Sequence, residues 1–401
     1  MQRRTFLTRS AALGCSLAAN PLMTPMAFAD APWDNRLVVI ILRGAMDGLD
    51  VLRPIGDPAY AALRPKIEDG KGLDLNGFWA LHPALAPLLP LWSAGEFGAV
   101  HAVSTPYRDK RSHFDGQDLL EAGGVALDGR INDGWLNRLL QTVPGMTADV
   151  AYAIGREQMA ILTGDAPAAR WSPEAALRLT PHVQRLLDLV YHDDPLFRNA
   201  SAQAIEIASQ VSESAAQDDA MADMMAADPM MADVSKRGAH LEIAQFAAAR
   251  LRGAARVASF SINGWDTHQT QRQGITRALG QLSDTILTLR SGLGPVWDKT
   301  AVLCLTEFGR TARENGTQGT DHGTAGAMLF AGGAMKGGQI AGRWPGLTEA
   351  DLYDRRDLMP TQDVRSVAAW VMHGVMGVDR TTLSGSIFPG LDLDADPKIL
   401  L

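Results

Sequence analysis

Ile275, Leu279, Leu282, Ile286, Leu289 and Leu293 recur in alternating steps of four and three, between two short apolar runs. That spacing predicts one amphipathic helix, because side chains three and four apart share a helix face. The flanking runs, Arg256–Ile262 (RVASFSI) and Thr300–Leu305 (TAVLCL), are short, apolar and bounded by polar turns, so they read as strands. Strand, helix and strand make a βαβ unit, which implies parallel strands and a covered sheet. Leu37–Leu42 (LVVIIL) is a continuous apolar run suited to the middle of such a sheet, and Ala325–Ala331 is a further strand. The expected fold is α/β, with these four strands side by side, mostly parallel, and helices on both faces. Gly98–Ser104 adds a strand in which His101 is expected to be a core histidine with its polar atoms satisfied.

Open α/β sheets build their sites in the loops at the carboxyl edge, so polar residues just past these strands carry the chemistry. Asp47 follows the first strand in a turn that includes Gly44 and Gly48; taken alone, such a carboxylate is more often a cap than a ligand. Asp266 and His268, in Asn263-Gly264-Trp265-Asp266-Thr267-His268, lie two apart, and alternate residues of an extended chain point the same way. They can therefore face one ion. The stretch Thr306–Gly323 (TEFGRTARENGTQGTDHG) holds Glu307, Arg310, Asp321 and His322 between two strands. A carboxylate at a strand end followed by Asp-His reads as a hard-cation or zinc site, against the plainer reading of a polar loop. Ser112, in Arg111-Ser112-His113-Phe114-Asp115, is both a helix N-cap and a possible nucleophile where the helix dipole favours negative charge. Arg310 can neutralise a phosphoryl or sulfuryl group or form a plain salt bridge, for instance to Glu314.

At 401 residues, 46% of them hydrophobic, the chain can bury a large core. A net charge of −8 leaves no basic footprint for nucleic acid or anionic lipid. Arg3-Arg4-Thr5-Phe6-Leu7, an Ala-rich run and Ala27-Phe28-Ala29 read as a twin-arginine export signal cut after Ala29. Removing Arg3, Arg4 and Arg9 takes the charge from −8 to −11. A lipobox-like Ala12-Leu13-Gly14-Cys15 is the alternative to that cleavage. The expectation is a periplasmic or secreted protein that uses the twin-arginine machinery and has no stable membrane span. Residues 30–401 are expected to form one domain with a helical, Met-rich insertion around 181–253. Within it Asp218–Asp233 (DDAMADMMAADPMMAD) reads as an adaptable cover or, less commonly, a copper-binding stretch. Cys304 is the one cysteine left after cleavage; mid-strand, it is expected to be a buried small hydrophobe.

In order, the twin-arginine signal, LRGAMDGLDVLRP, RSHFDGQD, GWDTH, TEFGRT and GTDHG resemble an exported bacterial family of unknown function. That family is distantly related to alkaline phosphatases, sulfatases and cofactor-independent phosphoglycerate mutases. The resemblance spans nearly the whole mature chain and implies an alkaline-phosphatase-like α/β fold. It also implies a divalent-metal site of one or two ions (Zn, Mn or Mg) and a small-molecule ester as substrate. Asp47 matches the superfamily's first-strand ligand, and Ser112 its nucleophile, with His113 adjacent. Asp266 and His268 match its Asp and His ligands, Glu307 the Asp of a later Asp-His pair, and His322 its final His. Phe308 stands where that pair has its His, which leaves one metal site a ligand short. The alternative alignment places Asp321-His322 on the pair, leaving His373 as the final His. Two functions follow: a metal-dependent hydrolase of phosphate or sulfate esters, or a relative that keeps the fold and one metal without the chemistry.

Overall fold

The computed structural model describes residues 31–68, 70–108, 111–126, 132–173 and 238–401. The export signal at 1–29, the stretch Asp218–Asp233 and most of the expected insertion lie outside the described residues. The central sheet contains β1 (Arg36–Arg43), β2 (Phe97–Ser104), β3 (Ala151–Ile154), β4 (Ala169–Trp171) and β5 (Val257–Asn263). It continues with β6 (Thr300–Leu305), β7 (Gly326–Ala331), β8 (Ile340–Ala341) and β9 (Gln362–Asp363). The strand order is β8-β2-β7-β6-β1-β5-β3-β4, with β9 also on β2. The four expected strands are therefore consecutive: β7, β6, β1 and β5.

β1 pairs in parallel with both β5 and β6, and the sheet is parallel except for β7. β7 runs antiparallel to β2 and to β6. The exception matters for the site. An antiparallel strand enters the sheet at the edge where its parallel neighbours leave it. The loop before β7 thus returns to the loops that follow β1, β2, β5 and β6.

The principal helices are α1 (His113–Ala122), α2 (Trp135–Gln141), α3 (Ala239–Arg252), α4 (Gln271–Leu293) and α5 (Val364–Met376). Along β1, Leu37, Val39 and Ile41 join one apolar cluster with Leu136, Leu139, Val367 and Val371 of α2 and α5. Val38, Ile40 and Leu42 join a second with Ala244, Leu251 and the periodic α4 residues Ile275 to Leu293. The strand's period of two places alternate residues on opposite faces, so one continuous apolar run serves two cores. α4 connects β5 to β6 while β1 lies between them, the crossover that the periodicity implied. Cys304 is fully buried on the α4 side, and burial pushes its thiol well up, as befits a core residue.

His101 departs from expectation. It is buried, with the backbone of Leu52 and Gly48 beside the ring, yet neither ring nitrogen has a well-formed hydrogen bond. Its ring packs against Trp79 (centroids 4.7 Å) and Trp344 (5.1 Å), which also touch each other, as one member of an aromatic trio. Burial holds its pKa down to about 3. The unfolded chain then takes up a proton near pH 6.5 that the folded chain refuses, so this residue costs stability as pH falls from there towards 3. Against His101→Phe, wild-type stability is expected to drop by about 2 kcal/mol between pH 6.5 and pH 5. Urea unfolding of both proteins at the two pH values measures this, and parallel pH dependences would refute it.

Candidate metal centre

The site assembles at the carboxyl edge from four loops. After β1 the chain turns through Gly44 and Ala45, both with positive φ, which lets the Gly44 amide donate to Glu307 Oε1 at 2.9 Å. The loop after β6 and the approach to β7 lie against each other. Gly309 donates to Thr324 O (3.0 Å), Gly323 donates to Gly309 O (2.8 Å), and Arg310 and His322 form an isolated antiparallel bridge. Glycine is required at position 309: a Cβ there would stand 1.8 Å from Ala325 O.

Three side chains converge in this frame. Ligand atoms of His113, Asp266 and His322 all lie within 4.8 Å of one another. Asp266 Oδ2 is 3.4 Å from His113 Nε2, and Oδ1 is 3.4 Å from His322 Nε2. His268 adjoins them, its Nε2 lying 2.9 Å from His322 Nε2 and 3.1 Å from Asp266 Oδ1.

Each imidazole is held from behind by an oxygen. His113 Nδ1 meets Glu307 Oε1 at 2.7 Å, His322 Nδ1 meets Arg111 O at 2.7 Å, and His268 Nδ1 faces Asp321 Oδ1 at 3.3 Å. A carbonyl can only accept, so His322 Nδ1 carries the proton and a neutral ring turns a bare Nε2 toward the cluster. Burial lowers the His322 pKa and favours that neutral form. Two imidazole nitrogens 2.9 Å apart need a proton or a cation between them. His113 Nε2 is buried without a hydrogen-bond partner, because its contact with Asp266 is poorly aligned. Two nitrogens and one carboxylate within mutual reach, with His268 beside them and each imidazole oriented by an outer oxygen, fit a divalent metal of the zinc type.

The charges agree with that reading. Hydrogen bonding to Glu307 raises the His113 pKa against the opposing effect of burial. Burial would raise Glu307 and Asp266, but His113 and neighbouring donors hold Glu307 low, and Arg310 with the histidines holds Asp266 low. For Asp321, the Asn315 hydrogen bond does the same.

Several expected roles change. Glu307 is fully buried, and its carboxylate meets His113, Gln117, Gly44 and Thr306, so it stands behind His113 and outside the cluster. Asp47 is not brought into the cluster. It caps the turn Gly48–Val51 through Leu49 and takes 2.6 Å hydrogen bonds from Arg64 Nη1 and Gln271 Nε2. Its cation is therefore an arginine from the same chain. Arg310 is 1% exposed and donates to Gly44, Ala45, Trp265 and Thr320 carbonyls and, at 2.5 Å, to Asp266. It ties the loops together and orients Asp266, where the sequence pointed to contact with substrate or with Glu314; Glu314 accepts instead from the Lys66 and Ile67 amides. Ser112 caps α1, its Oγ accepting from Asp115 N at 3.4 Å, and its amide donates to Tyr107 Oη. Asp321 lies behind His268. Phe308 stacks on His113 with centroids 5.2 Å apart, so the departure from the superfamily pattern supplies a wall in place of a ligand. His373, the alternative final His, bonds Val378 O from the far part of α5.

Gln117, Arg111 and Arg64 escaped the sequence reading. Gln117 sits four residues after His113 on the same helix face, a spacing that could have flagged it. Arg111 acts through its carbonyl and Arg64 through a partner 17 residues away, for which no local pattern exists.

The fold and site define a class first: a mixed, mostly parallel α/β protein with a histidine–carboxylate cluster at the carboxyl edge of its sheet. Within it, the chain belongs to the family described as "Protein of unknown function (DUF1501)", whose family model matches residues 97–379. No curated protein matches it. Among solved structures it is similar to the lipoteichoic acid synthase LtaP from Listeria monocytogenes, at 8% identity and a TM-score of 0.33, over 71% of this chain and 58% of that one. It is also similar to a protein in the alkaline phosphatase superfamily from Vibrio parahaemolyticus, at 11% identity and a TM-score of 0.36, over 94% of this chain and 76% of that one. The chain thus spans little more than half of the synthase structure.

No helix among the described residues is long and apolar enough to cross a membrane.

Proposed function

We propose that this protein is a metal-dependent hydrolase of phosphate or sulfate esters with an alkaline-phosphatase-like fold, exported by the twin-arginine route to the periplasm. The observation that carries the metal reading is the convergence of His113, His268 and His322 Nε2 on Asp266, with every Nδ1 held by an oxygen. A bound divalent ion would supply Lewis-acid polarisation of an ester oxygen at this edge. The chain's own contribution is orientation and charge. Glu307 holds the proton on His113 Nδ1, Arg310 fixes Asp266, and the Gly309–Gly323 contact holds His322 in place. Ser112 is the proposed nucleophile by position: it precedes His113 at the start of α1, where the helix dipole favours a developing negative charge.

Metal content of the purified full chain, with turnover of 4-nitrophenyl phosphate and 4-nitrophenyl sulfate, tests this reading. Bound divalent ion with turnover that Ser112→Ala abolishes is the expected result. A bound ion without turnover would favour the second reading, a relative that keeps one metal for ligand binding or structure. The buried, fully engaged Arg310 and the separate Asp47–Arg64 pair favour that alternative, since each removes a group that a two-metal phosphoryl site would use.

A further inference from the structure

Beside the cluster lies a cavity of about 670 Å³ that no step above uses. Its wall is shared with the metal centre. Asp321 and Asn315 line it, and Asn315 Nδ2 donates both to Asp321 Oδ1 (3.1 Å) and to His268 O (2.8 Å). Arg356, also in the lining, donates to His322 O at 3.0 Å. The volume suits a small organic ligand.

The lining is divided in character. Leu63, Leu347 and Leu352 are buried side chains contributing apolar surface, whereas the rim is charged. The rim acids are already engaged: Glu314 by the Lys66 and Ile67 amides, Asp321 by Asn315 and His268. Glu349 faces Arg355 at 3.8 Å. Arg313 is exposed, and its guanidinium makes no hydrogen bond or ion pair among the described residues. In formal charge the three arginines of the lining balance its three carboxylates; Arg355 pairs with Glu349 and Arg356 with Asp357, which leaves Arg313 as the arginine that no acid among the described residues pairs. An apolar floor with a free arginine at its rim recognises an apolar body ending in an anion, because guanidinium pairs with carboxylate, phosphate or sulfate oxygens.

We propose that this cavity is a binding site of its own for a small ligand, an apolar chain or ring with an anionic end paired to Arg313. Calorimetric titration of the full-length, metal-retaining protein with 4-phenylbutanoate tests it, with 4-phenylbutylamine as the cation of the same body. The carboxylate is expected to bind at least about tenfold tighter than the amine, and Arg313→Glu to weaken it by about tenfold or more. Leu352→Asp is expected to weaken both probes, with metal content and melting temperature of each variant as the fold control. Equal affinity for the two probes, or wild-type binding by Arg313→Glu, would overturn the proposal. So would carboxylate binding that survives both cavity variants and is lost only in His322→Ala, since the ion would then be holding the probe. If the carboxylate binds through Arg313 and neither nitrophenyl ester is turned over, the hydrolase reading alone fails.

Discussion

His322→Ala is expected to release the divalent ion while leaving the sheet and both cores intact. The ring turns Nε2 to the cluster, and its aromatic neighbours are His113, His268 and Phe308 at the sheet's edge. Metal binding on the order of 10–16 kcal/mol is shared among about four ligands in structural zinc sites, so one ligand carries roughly 3 kcal/mol, or about a hundredfold in affinity. Glu307→Gln acts through His113 and should weaken metal binding by about 10- to 100-fold, as loss of an outer-shell carboxylate does. The pH dependence has a definite sign. A ligand nitrogen must shed its proton, and Glu307 raises the His113 pKa above its ordinary value of 6.5. Affinity is therefore lost as pH falls through that raised value, beginning at higher pH than for an ordinary histidine. Elemental analysis after dialysis, repeated over pH with each variant, provides the measurement. Full metal retention by His322→Ala, or a wild-type chain that holds no ion after incubation with zinc or manganese, would remove the basis of the metal reading.

The second large effect lies behind the site. Arg64 is fully buried; it pairs with Asp47 and also donates to the Thr311 and Ala312 carbonyls. Arg64→Met would strand the Asp47 carboxylate in the interior, where removing one partner of a buried pair costs about 3–5 kcal/mol. Combining it with Asp47→Asn should cost less than the two single changes summed, because the stranded charge disappears with its partner. Urea-unfolding midpoints of the two single variants and the double variant close that cycle. Strict additivity would mean that the carboxylate and guanidinium are not energetically coupled.

Much of the fold was legible because its signals are local. The four-and-three spacing of α4 buries the residues it marked, and the runs of β1, β5 and β6 are strands within about one residue of where their composition placed them. The site loops were legible for the same reason: polar residues that follow a buried strand have to emerge at an edge. His113, Asp266, His268 and His322, each read from a short motif, do meet.

What each residue does there was settled only by tertiary contacts. The antiparallel course of β7, which returns His322 to the edge, depends on pairing with β2 and β6 and not on its own run of small apolar residues. Asp47 and Glu307 look alike in the sequence, as carboxylates just past a strand. One met a buried arginine and the other met the back of a histidine, and those partners decided that one closes an ion pair while the other orients an imidazole. Arg111 and His322 are 211 residues apart, yet a carbonyl of the first fixes the proton of the second. Side-chain periodicity is a property of neighbouring residues, so it can set which face is buried and where the chain emerges. The protonation and role of a group depend on the atoms within hydrogen-bonding distance, and here those atoms come from distant loops that only the folded sheet brings together.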